Sequence, residues 1–166
     1  MIRKANENDI PRILELLTQV NDVHAEGRPD FFIKGQRKYN EDDLLKIIND
    51  DTTPVFVYVG TRLVTSESET QQVTSVQGYA FCVMQDLSSC NNLRPDRSLY
   101  IDDICVDEKY RRSGVGKELY EYVIRYAKEQ RCFNVTLNVW ARNPGAQAFY
   151  ESMGMTVQKV CMEKVI

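Results

Sequence analysis

The sequence predicts a mixed α/β fold, and two patterns carry that prediction. Apolar residues switch repeatedly between the two-residue period of a strand and the 3.6-residue period of a helix, in the order β-α-α-β-β-β-α-β-α-β. The long amphipathic stretch from Ser113 to Gln130 lies between two strand-like runs, which requires at least one parallel crossover. With 166 residues, 43% of them apolar, the chain has room for one domain, residues 1–166, around one substantial core.

Each element has a local reason. Met1 to Ala5 reads as a short strand. Asn6 or Asn8 then caps a helix whose Ile10, Ile13, Leu14, Leu17 and Val20 recur at helical spacing, with an end near Asn21 to Val23. His24 to Lys38 carries Gly27, Pro29 and Gly35 among aromatic and charged residues, the composition of a long shaped loop. Tyr39 to Asp50 is helical through Leu44, Leu45, Ile47 and Ile48. Val55 to Val59 is a β-branched and aromatic strand after Pro54. Thr61 to Ser75, rich in Ser, Thr, Glu and Gln, predicts a mobile hairpin excursion, Val76 to Met84 a further strand, and Leu87 to Arg97 a polar loop.

Leu99 to Val106 is a strand that contains Asp102 and Asp103, a residue type strands disfavour. Strict alternation would put Asp102 on the face of Tyr100 and Ile104, and Asp103 on the opposite face. The helix from Ser113 to Gln130 gathers Val115, Leu119, Tyr122, Val123, Tyr126 and Ala127 on one side. Phe133 to Val139 is a strand. Pro144 to Met153 is a helix with proline in its first turn and Gly154 past its end, and Met155 to Glu163 is the closing strand.

Composition narrows the function. A net charge of −3 and a pI near 5.3 argue against general nucleic-acid binding, which needs a basic face. No apolar run approaches the roughly 20 residues of a membrane span. Met1 to Ala5 leads into charged residues without a signal-peptide core, so a cytoplasmic protein is expected. Cys82, Cys90, Cys105, Cys132 and Cys161 are odd in number and lack any C-x-x-C pair, which predicts reduced thiols and no metal site.

The stretch from Val106 to Glu129, VDEKYRRSGVGKELYEYVIRYAKE, carries the chemical signal. Glycines at a strand-to-helix junction let backbone N–H groups converge on an anion at the positive end of the helix dipole. A Walker loop would need glycine at Arg111 and Ser or Thr at Glu118, and a dinucleotide fingerprint would need glycine at Leu119. What remains is Arg-x-x-Gly-x-Gly from Arg111 to Gly116, opening a helix. An ordinary turn has the same local pattern.

Three segments together decide the resemblance: Tyr-Ile-Asp-Asp-Ile-Cys-Val from Tyr100 to Val106, Arg-Arg-Ser-Gly-Val-Gly from Arg111 to Gly116, and Asn-Pro-Gly-Ala-Gln-Ala-Phe-Tyr-Glu-Ser-Met-Gly from Asn143 to Gly154. The set resembles the GCN5-related N-acetyltransferases, the GNAT family, throughout Leu99 to Ile166. The resemblance implies a partly antiparallel sheet flanked by about four helices, with acetyl-CoA as cosubstrate and no metal. It places the amides of Arg112, Ser113, Gly114, Val115, Gly116 and Lys117 on the coenzyme A pyrophosphate, with charge added by Arg111 and Arg112. It also places Ile104, Cys105 and Val106 along the pantetheine arm, with one backbone N–H near Val106 on the thioester carbonyl. Asn143 would contact the pantetheine amides, and its side chain also suits the cap of the helix at Pro144. Tyr150 would protonate the departing thiolate.

Asp102 is the preferred general base for the acceptor amine, with Asp103 and His24 as the alternatives. Glu26, Asp30 and Asp102 would give a cationic acceptor a negative wall. The implied reaction is acetyl transfer to a primary amine by direct attack in a ternary complex. The acceptor stays open among polyamine, aminoglycoside, amino acid and protein amino group. A coenzyme A-binding regulatory module without turnover is the alternative. The apolar segment Val160 to Ile166 offers an edge for a homodimer.

Overall fold

Residues 1–65, 70–92 and 97–166 are described by a computed structural model. Strand β1 (Ile2–Lys4) leads through a capping box, in which Asn6 and Asp9 exchange side-chain and backbone hydrogen bonds, into α1 (Ile10–Gly27). Pro11 stands in the first turn of α1, where its missing N–H costs nothing, and Ile10, Ile13, Leu16 and Leu17 are buried along one side. The helix continues past the predicted end because Ala25 is also buried and the Arg28 amide donates to the His24 carbonyl. The predicted loop from His24 to Lys38 is shorter accordingly. A second capping box, between Asn40 and Asp43, starts α2 (Glu41–Ile48).

The strands β2 (Val55–Thr65) and β3 (Thr70–Asp86) pair antiparallel along their length. The excursion predicted over Thr61 to Ser75 is therefore strand on both arms, and its tip lies outside the described residues. β4 (Arg97–Val106) is followed by α3 (Val115–Glu129), β5 (Val135–Leu137) and α4 (Pro144–Ser152). The sheet order is β1-β2-β3-β4-β5, antiparallel throughout except for β4 and β5, which are parallel and joined by the α3 crossover.

Each face of the sheet has its own core. On one side α1 and α2 bury Ile13, Leu16 and Leu44 against Val57, Tyr79, Phe81 and Cys105. On the other side α3 and α4 bury Leu119, Val123 and Tyr150 against Phe56, Ala80, Leu99 and Ile101. Gly78 sets how closely α3 rests on the sheet. A Cβ there would lie 2.7 Å from the Cys105 carbonyl oxygen and within 3.3 Å of Leu119 and Val115.

The closing strand expected over Met155 to Glu163 is not formed. Val157, Val160, Met162 and Val165 are at least 73% exposed. Of these, only Val160 and Met162 keep the two-residue period of a strand, and a strand needs a template, whereas the edge strand β5 spans only three residues. The segment is held to the body instead by Arg28, whose guanidinium donates to both carboxylate oxygens of Glu163 at 2.9 and 3.0 Å. Among the described residues no helix is long and apolar enough to cross a membrane.

Candidate active site

The sheet is interrupted where the two aspartates lie. Asp103 pairs with Phe81 and Ile101 with Cys82, so Asp102 is an extra residue without a partner on β3. This β-bulge shifts the parity of β4. Leu99 and Ile101 point to the α3 side before it, Ile104 and Val106 pack on that same side after it, and Cys105 faces α1. Simple alternation fails here: Asp102 and Asp103 both face the α1–α2 side, and Tyr100 and Ile104 lie on opposite faces. Asp103 accepts a hydrogen bond of 2.7 Å from the Tyr79 hydroxyl. Burial pushes its carboxyl up to about 6, with the Tyr79 bond acting in the opposite sense.

The same point on β4 is where the sheet opens. β5 pairs with Leu99, Tyr100 and Ile101, and among the described residues the β5-facing edge of β4 from Asp102 to Val106 has no strand partner. An extended ligand can add to such an edge through main-chain hydrogen bonds. Cys105 lies in this stretch as a packed thiol. Its Sγ is directed at the Leu16 carbonyl, 3.6 Å away, and burial raises its pKa to about 12, which makes it a poor nucleophile.

The open edge ends at the glycine loop. Arg112 (φ 63°) and Gly114 (φ 94°) both take left-handed backbone conformations, which turn the chain sharply into α3 with Gly114 as its cap. The first intrahelical bond runs from the Glu118 amide to the Gly114 carbonyl. The amides of Gly114, Val115, Gly116 and Lys117 precede it and are the free donors of the helix N-terminus. Gly116 leaves room between Val106 and Phe149, whose atoms would lie 3.5 and 3.7 Å from a Cβ. The Arg111 guanidinium turns back to the Val106 carbonyl at 3.3 Å, Ser113 bonds the Tyr110 carbonyl, and Lys117 lies 3.9 Å from Glu121. Free amides, an unpaired strand edge and arginine charge together form a donor set that fits a phosphate-bearing ligand with an extended arm.

From the opposite wall, α4 presents Tyr150, 9% exposed and packed on Tyr120 and Phe149. Burial and the nearby Asp103 charge hold its phenol well above the usual range, so it is a proton donor rather than a phenolate at neutral pH. Asn143 caps α4 by accepting from the Ala146 amide at 3.1 Å.

The remaining wall comes from the connection between α1 and α2. Lys38 Nζ donates to both oxygens of Asp102 at 2.7 Å, and the Tyr39 hydroxyl donates to one of them at 2.9 Å. Further along, Phe31, Phe32 and His24 gather on Trp140, with ring centroids 5.1 to 6.4 Å apart. His24 is half-buried in this cluster, and burial lowers its pKa, which favours neutral imidazole. The negative wall is mostly neutralised: Asp102 is paired with Lys38, and Asp30 with Arg28.

The sequence model of the acetyltransferase (GNAT) family matches residues 20–155. The chain belongs to the GNAT family. Among its relatives are a thialysine N-epsilon-acetyltransferase of Bos taurus, 25% identical over 93% of this chain and 82% of that protein, and a glucosamine 6-phosphate N-acetyltransferase of Arabidopsis thaliana, 26% identical over 59% of this chain and 60% of that protein. The match to the plant enzyme thus leaves two fifths of that relative uncovered. A tetramutant of the BH1408 protein of Bacillus halodurans superposes with a TM-score of 0.85 at 27% identity, covering 100% of this chain and 99% of that one. An aminoglycoside acetyltransferase from an uncultured soil metagenomic sample, solved with sisomicin, shares the fold at a TM-score of 0.64 and 18% identity, covering 100% and 95%.

In this GNAT chain the residues singled out by sequence lie on β4, the glycine turn, α4 and the end of α1. Ile104, Cys105, Val106, Arg111, Arg112, Ser113, Gly114, Val115, Gly116 and Lys117 run along the β4 edge into the glycine turn. Tyr150 and Asn143 stand on α4, and Asp102 and Asp103 sit at the bulge. His24 is set among aromatic rings of the α1 end. Lys38, Tyr39, Tyr79 and Trp140 escaped the sequence reading. For Trp140, the lone tryptophan just after a predicted strand was a usable signal. For Lys38 and Tyr39 nothing local pointed to Asp102, more than 60 residues away.

Proposed function

We propose that this chain is an acetyl-CoA-dependent N-acetyltransferase, one domain over residues 1–166, that acetylates a primary amine by direct attack within a ternary complex. The observation that carries the reading is the continuity of the unpaired β4 edge, Asp102 to Val106, with the free amides that open α3. Acetyl-CoA supplies an activated acyl group on a thioester. The amides of Arg112 to Lys117 bind its pyrophosphate, Arg111 and Arg112 add charge, and the Ile104, Cys105 and Val106 backbone aligns the pantetheine arm. A backbone N–H near Val106 donates to the carbonyl oxygen on which negative charge develops. Asn143 contributes its amide on the α4 side while keeping its capping bond.

Proton traffic belongs to the acidic bulge and to α4. Asp102 faces the acceptor and takes the ammonium proton, directly or through water, with Asp103 and His24 as alternative bases. Tyr150, buried and protonated, donates to the departing thiolate. The acceptor is a small-molecule amine or a protein amino group, and small amines are the first to test because relatives are named for glucosamine 6-phosphate and thialysine. Cytoplasmic residence and a homodimer through the exposed Val160 to Ile166 segment complete the reading.

The deciding experiment follows thiol release from acetyl-CoA across a panel of amino sugars, lysine analogues, polyamines and peptides. Amine-dependent release supports the enzyme. Calorimetric binding of acetyl-CoA with no release from any amine would leave a coenzyme A-binding module without turnover.

A further inference from the structure

The acceptor side of the cleft already contains a primary amine. Lys38 reaches from the α1–α2 connection onto β4 and places Nζ 2.7 Å from each oxygen of Asp102, at the bulge where β4 parts from β5. Tyr39 steadies the same carboxylate at 2.9 Å, and its ring lies 5.2 Å from Nζ. The Asp102 side chain is 16% exposed while that of Lys38 is 53% exposed, so the carboxylate is fixed and the amine lies at the mouth with solvent access.

We propose that Lys38 is a self-acetylation site: without an acceptor, the protein transfers one acetyl group from acetyl-CoA to its own Lys38 Nζ. The proposal rests on the acetyltransferase reading above. The ammonium first gives a proton to Asp102, its hydrogen-bond partner. The nitrogen lone pair then forms a C–N bond to the acyl carbon, and the C–S bond breaks with its electron pair left on sulfur. The thiolate takes a proton from Tyr150, which is restored by the second proton leaving nitrogen. Asp102 releases the first to solvent. The products are a neutral amide on Lys38, coenzyme A as the free thiol, and one proton.

An amine tethered in the cleft reacts at a high effective concentration, which a lysine on the outer surface lacks. Lys34 is the internal control, since it is exposed in the same connection and makes no ion pair among the described residues.

The test incubates the full chain with acetyl-CoA and no amine at two protein concentrations and follows acetyl occupancy of each lysine by mass spectrometry of peptides. Lys38 should fill to one acetyl per chain at least about tenfold faster than Lys34. Its rate should not depend on protein concentration, and the preference should vanish in denaturant. Asp102→Asn should slow the reaction at Lys38 and leave Lys34 unchanged, and Lys38→Arg should remove the product. Equal rates at Lys34 and Lys38, or a rate that rises with protein concentration, overturn the proposal. So does an unmodified Lys38 in a preparation that binds acetyl-CoA by calorimetry or releases thiol with an added amine. A folded protein that fails to bind acetyl-CoA overturns the acetyltransferase reading itself, and this inference with it.

Discussion

The Tyr79 hydroxyl on β3 donates to the Asp103 carboxylate on β4 across 2.7 Å, beneath the bulge made by Asp102. Tyr79 is fully buried, so this bond satisfies a phenol that could not reach water and fixes one carboxylate of the acidic pair.

The pair makes stability depend on pH through Asp103. Burial raises its folded pKa to about 6 from an ordinary 3.8, so the folded chain binds this proton more tightly than the unfolded one. The carboxyl favours folding most below pH 4, and that contribution is lost as pH rises through about 6. Asp103→Asn abolishes the titration and still offers Tyr79 an acceptor. The mutant should exceed the wild type by about 1–3 kcal/mol at pH 8, with the advantage fading towards pH 4. Urea unfolding at the two pH values measures it, and a pH-independent difference contradicts it.

Gly78→Ala tests the close approach of α3 to the sheet. The added Cβ would meet the Cys105 carbonyl oxygen at 2.7 Å, and backbone cannot step aside as a side chain can. A loss of about 1–3 kcal/mol is expected. Thermal unfolding at the wild-type midpoint would show that the strand pair accommodates the methyl group.

At Gly114 space and conformation separate. A Cβ would touch nothing within 4 Å, but φ is 94°. Gly114→Ala should therefore cost about 1 kcal/mol of stability and keep acetyl-CoA binding. Gly114→Asp sets a carboxylate against the pyrophosphate and should abolish binding. Calorimetry showing equal affinity for a folded Asp variant would remove the glycine turn from the binding site.

Tyr150→Phe keeps the ring that packs on Tyr120 and Phe149 and removes the hydroxyl. Acetyl-CoA affinity should persist while kcat falls about 10²-fold, the lower end for loss of a general acid, because a coenzyme A thiol leaves partly unassisted. Single-turnover mixing at the wild-type rate would make Tyr150 a packing residue.

The element order, the capped helix starts and the glycine turn were legible because each is written in neighbouring residues. Asn40 with Asp43 and Gly114 before Val115 need no distant partner. The bulge was not legible, since alternation counts residues and cannot see one that is skipped. Lys38 and Asp102 meet only after the sheet has formed. Met155 to Glu163 reads as a strand from its composition, but its apolar residues do not alternate throughout, and pairing would need a longer edge than β5 provides.

The narrow seam between β4 and β5 also sets how the molecule breathes. β2 and β3 are zipped from Val55 to Thr65, whereas among the described residues β5 is laddered to β4 only from Leu99 to Ile101, and α4 is held separately by Tyr150 in the core. Local opening should follow that inequality. Amide hydrogens of Val135 to Leu137 would exchange with solvent well before those of Val55 to Val57, while α4, anchored by Tyr150 against Tyr120 on α3, would stay with the body of the sheet.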